Sequence, residues 1–106
     1  MKVFLDDTRD TPEGYIRANT VHELARLLMD KDNNITEISL DHDLGEDTLT
    51  GYEFMRWLEA MVFNNRISNV PEIKFHTANP VGRKNMELVL ASIQKILEKR
   101  NVNRKT

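Results

Sequence analysis

The chain has 106 residues, 15 Lys plus Arg against 17 Asp plus Glu, a formal net charge of -2 and 40% hydrophobic residues, which is room for one core and one domain. It holds no cysteine, so a disulfide scaffold, thiol catalysis and Cys-ligated zinc are excluded and the cytoplasm is the expected location. No apolar run approaches the roughly 18 residues of a membrane span, and Asp6 and Asp7 follow Met1 too closely for a signal peptide, so no membrane partner is expected.

Val3 to Leu5 is a short apolar run stopped by two carboxylates and reads as a buried strand. The turn residues Thr11-Pro12-Glu13-Gly14 then lead into a second strand over Tyr15 to Ala18. Thr20 with Glu23 three residues on makes a capping box, and Val21, Leu24, Leu27 and Leu28 share one face of a helix that should reach about Asp30. Ile35 to Leu40 is a third strand. Thr50 and Glu53 repeat the capping pattern before Phe54, Leu58, Met61 and Val62, predicting a helix to about Phe63 with Asn64-Asn65 as its stop. Ile73 to Thr77 is a fourth strand. Asn79 can cap a last helix with Pro80 at its first position, and Met86, Val89, Leu90, Ile93 and Leu97 carry its stripe to about Lys99.

Strands alternating with helices imply parallel pairing through right-handed crossovers. The expected fold is α/β, a three-layer sandwich around a short parallel sheet of about four strands. The first connection is too short for a helix, so one face should be thinly covered. Residues 1–100 form the expected domain and 101–106 a basic C-terminal tail. Acids dominate the first half of the chain and bases the second, with Lys95, Lys99, Arg100, Arg104 and Lys105 at the end of the last helix, where cations suit the helix dipole. A nucleic-acid contact is the lesser reading of that cluster. Met29, Met55, Met61, Met86 and Trp57 fall in helical segments and are expected to fill the core.

An open parallel sheet binds ligands beyond the carboxyl ends of its strands. Three strands deliver polar groups there: Leu5-Asp6-Asp7, Leu40-Asp41-His42-Asp43 and Phe75-His76-Thr77. Crowded carboxylates repel, a divalent cation relieves the repulsion, and oxygen ligands favour magnesium. Asp6, Asp7, Asp41 and Asp43 are therefore the candidate metal ligands, the bland reading being strand-end turn formers. His76, ending the last strand, is the expected proton-transfer group beside that site, and His42 is a second candidate, although a residue next to Asp41 points to the opposite side if the pleat persists. Thr77, Asn79 and the first amides of the last helix can hold phosphate oxygens. Arg9 and Arg83 can grip phosphate or pair with the neighbouring carboxylates. His22 reads as helix surface.

These segments resemble the receiver domain of two-component response regulators. Asp6-Asp7 resembles its acidic metal-binding pair, Asp41 its phosphoacceptor, Thr50 to Leu58 its glycine-containing helix start, and Thr77-Ala78 its phosphoryl-binding hydroxyl and following alanine. The likeness implies a flavodoxin-like topology in truncated form, for the first helix is lost and no fifth strand with the receiver's lysine follows Pro80. Phe4-Leu5-Asp6-Asp7-Thr8-Arg9, Leu40-Asp41-His42-Asp43-Leu44-Gly45 and His76-Thr77-Ala78-Asn79-Pro80-Val81-Gly82 are similar to a reduced relative, the cyclic-phosphate-processing receivers.

That resemblance implies a magnesium-dependent phosphoesterase acting on a cyclic phosphate of an RNA end or nucleotide, with Asp41, His42 and His76 as its catalytic residues. Two other readings stand beside it. One is an inactive receiver-like binding module with a protein partner; the other is an aspartyl-phosphate switch at Asp41, against which the missing lysine argues. Oligomeric state is not readable from the sequence.

Overall fold

The computed structural model describes residues 1–45 and 48–105. In chain order the elements are β1 (Lys2–Leu5), β2 (Tyr15–Ala18), α1 (Val21–Met29), β3 (Glu37–Leu40), α2 (Gly51–Phe63), β4 (Glu72–Phe75) and α3 (Pro80–Lys105). The strands form one parallel sheet in the order β2-β1-β3-β4, the α/β receiver-like arrangement expected. Each strand has only four residues. A loop can therefore return the chain from the end of β1 to the start of β2 without a helix.

The helix limits follow local chemistry. Thr50 accepts from the amide of Glu53 and Glu53 accepts from that of Thr50, the reciprocal capping box that opens α2. Thr20 opens α1 by accepting from the Glu23 amide. Asn64 closes α2, with Asn65 next to it at φ 61° in the left-handed region that Asn tolerates. α3 runs past the expected stop at Lys99 to Lys105, so the expected tail continues the helix. Arg100 of that extension donates to the Phe63 carbonyl at the end of α2. The side chains of Arg104 and Lys105, and all of Thr106, lie outside the described residues.

Val3, Leu5, Ala18, Ile38 and Leu40 point to one side of the sheet and form the core with Leu24, Phe54, Met55, Leu58, Val62, Met86 and Ile93 of the three helices. Lys2, Phe4, Tyr15, Arg17, Glu37, Ser39 and Lys74 occupy the alternate positions. No described helix covers them, so the expected three-layer sandwich is corrected to two layers. The thin covering of the second face is the β1–β2 loop: Arg17 donates to the Thr11 hydroxyl and the Arg9 carbonyl. Met55 and Met86 fill the core as expected, whereas Met29 is exposed at the end of α1. No described helix is long and apolar enough to cross a membrane.

Candidate functional site

The parallel register decides which polar groups meet. Leu5 pairs with Leu40 and Leu40 with Phe75, so the next residues, Asp6, Asp41 and His76, share one rung beyond the sheet. By the strand alternation all three fall on the uncovered face, and a ligand atom from each lies within 4.8 Å of the others. Gly51 lets this edge come together. A Cβ there would stand 2.2 Å from the Asp41 carbonyl oxygen and 3.0 Å from Met86 Sδ, so the start of α2 packs directly on the end of β3.

Asp6 is fully buried. Its Oδ1 accepts from the amides of Thr8 at 2.9 Å and Arg9 at 3.0 Å, and its Oδ2 lies 2.9 Å from His76 Nε2. Burial alone would push this carboxyl up, but the Arg9 and Thr8 amides and the His76 ring outweigh it and hold the pKa below the ordinary range. On the other side of the ring, His76 Nδ1 lies 2.7 Å from Ser39 Oγ. An ionised carboxylate only accepts, so Nε2 carries the proton toward Asp6; Nδ1 accepts from the serine when the ring is neutral and donates to it when the ring is charged. The ring is also stacked on Phe4, with centroids 4.2 Å apart, and the His76 carbonyl accepts from Arg9.

His42 stands on the opposite side of the edge, as the pleat implies. Its ring packs on Gly82 in the first turn of α3, where a Cβ would approach to 2.5 Å. Nδ1 lies 2.9 Å from Asp43 Oδ1 and Asn79 donates to Asp43 Oδ2 at 3.3 Å. The His42 bond, helped by Asn79, holds the Asp43 carboxyl below its usual range against the opposing effect of burial. Asn79 also caps α3, accepting from the Gly82 amide at 3.0 Å. His42 Nε2 has no hydrogen bond among the described residues.

The expected residues therefore divide. Asp6, Asp41, His76 and Arg9 gather on the uncovered face, and His42, Asp43 and Asn79 gather at the start of α3. Asp7 is exposed outside the three-residue cluster, on the side of Gly45. Thr77 is buried and its hydroxyl accepts from the Asn79 amide. The Arg83 side chain pairs with Glu87 and lines a groove beside β4, and its amide donates to the Asn79 carbonyl. Sequence reasoning gave no role to Ser39, Thr8, Phe4 or Gly82. For Ser39 a signal existed: two residues before Asp41, it shares that residue's face.

A four-stranded parallel sheet with polar groups converging at its carboxyl edge defines a receiver-like α/β domain. The family model for the cyclic-phosphate processing receiver domain matches residues 1–92, and the chain belongs to that family. No curated protein and no solved structure matches the chain.

Proposed function

We propose that the protein hydrolyses a cyclic phosphodiester on an RNA end or nucleotide to a phosphomonoester, with His42 as the proton-transfer residue. The observation that carries this reading is the oriented Asp43–His42 pair: the carboxylate fixes the proton on Nδ1, leaving Nε2 as an acceptor with no described partner. Nε2 would take a proton from water as the water oxygen bonds to phosphorus. The bond from phosphorus to one ring oxygen breaks, and the proton returns to the leaving alkoxide. At the start of α3 Pro80 has no N–H and Asn79 accepts from the Gly82 and Arg83 amides, so the Val81 amide and the positive end of the helix would favour the anionic phosphate. His76, which sequence reasoning placed in the proton-transfer role, has both ring nitrogens engaged and acts here as a positioning residue for Asp6.

A divalent cation, magnesium by the preference of hard cations for oxygen, belongs to this reading. Asp6 and Asp41 would hold it, with Asp7 within the same strand-end region, and it would neutralise charge on the phosphoryl oxygens. Asp43 is committed to His42 and Asn79 and falls out of the ligand set. A receiver-like binding module is the second reading, favoured by the saturation of Asp6 with protein donors.

Turnover of a 2′,3′-cyclic nucleotide and of a short RNA ending in a 2′,3′-cyclic phosphate, each with magnesium or chelator, tests the proposal. Magnesium-dependent release of a phosphomonoester from either substrate is expected. No turnover of both would leave the binding module as the account.

A further inference from the structure

β4 ends the sheet order, and no described strand lies along its outer side. The amides of Glu72 and His76 donate inward, to the carbonyls of Thr36 and Leu40. By strand alternation the N–H and C=O groups of Ile73 and Phe75 therefore point outward. Ile73 and Phe75 also line, with Leu90 and Ala91 of α3, the apolar part of a groove along this edge that Lys74, Arg83, Glu87 and Gln94 complete. An open edge beside apolar surface is a template for another strand, and the charges on β4 select which strand fits.

We propose that β4 pairs antiparallel with β4 of a second copy of the chain, about a two-fold axis at Ile73, making one continuous sheet. The outward groups of the two Ile73 residues then exchange a pair of hydrogen bonds. Glu72 of each copy stands directly opposite Lys74 of the other, in the positions where facing side chains come closest. Moving the axis to Lys74 would set lysine against lysine, which opposes that register. Phe75 donates to the Pro71 carbonyl of the second copy, and Pro71, lacking an amide, ends the ladder.

A lysine on an edge strand ordinarily discourages pairing. Here Glu72, on the same face, gives it a counter-charge under two-fold symmetry. Lys74 Nζ already lies 3.1 Å from Glu37 Oε1, so the pairing places its ammonium between two carboxylates. A two-fold contact is closed, and assembly stops at the dimer.

Sedimentation velocity of the full chain, from low to high micromolar concentration, tests this. A concentration-dependent dimer is expected, and Glu72→Lys, which sets like charges opposite each other twice, should weaken it about tenfold or more. Lys74→Glu should weaken it too. A mixture of the two variants should recover the dimer, because each lysine then faces a glutamate. Circular dichroism establishes that both variants fold. A parent chain monomeric throughout, a dimer unchanged by Glu72→Lys, or a mixture of folded variants that stays monomeric would each overturn the proposal.

Discussion

The two site histidines differ in what their ring nitrogens hold, and register explains why. Ser39, Asp41 and His76 all lie on the uncovered face, which brings Ser39 to one side of the His76 ring and Asp6 to the other. His42 is one pleat out of phase and meets α3 instead. Its side was legible from its place beside Asp41, but the saturation of His76 was not, because it depends on residues far apart in sequence meeting through strand pairing. Ser39→Ala leaves Nδ1 of a mostly buried imidazole without its hydrogen-bond partner. A loss of about 1 kcal/mol of stability is expected, measured by urea unfolding. An unchanged unfolding midpoint would mean that water replaces the hydroxyl.

Among the elements, strand and helix positions were largely readable because short apolar runs, capping boxes and the Asn79-Pro80 start are local signals. The layer count was not, because it depends on the direction of each crossover. With right-handed connections, β2 to β3 and β3 to β4 step the same way across the sheet and place α1 and α2 on one face. Only the β1-to-β2 step runs the other way, and it carries no helix. The packing of α2 on β3 gives a prediction opposite to simple propensity. Replacing Gly51 with alanine should favour the helix by up to ~1 kcal/mol, but the new Cβ would collide with the Asp41 backbone. Overpacking of this kind costs about 1–3 kcal/mol, so Gly51→Ala should lower the urea midpoint. A raised midpoint would show that β3 yields easily at this point.

For the whole molecule, the lowered pKa of Asp6 links site and fold. A carboxyl with a lower pKa in the folded than in the unfolded chain contributes stability that is complete above the unfolded value, about 3.8. This contribution is lost as pH falls through the folded value. Asp6→Asn should therefore flatten the acid limb of stability against pH, read from urea unfolding at a series of pH values. An acid limb as steep as the parent's would place the responsible carboxylate elsewhere.

The family and the fold leave the chemistry to be decided by one pair of side chains. The most direct measurement compares kcat on a cyclic-phosphate substrate for the parent, His42→Ala and His76→Ala at saturating magnesium, with circular dichroism confirming that each variant is folded. Loss of a proton-transfer group costs ~100-fold to 10,000-fold, so His42→Ala should fall at least to the lower figure and His76→Ala should retain much more of the rate. A His42→Ala variant as active as the parent, or a larger loss in His76→Ala, would contradict the assignment of the proton to His42.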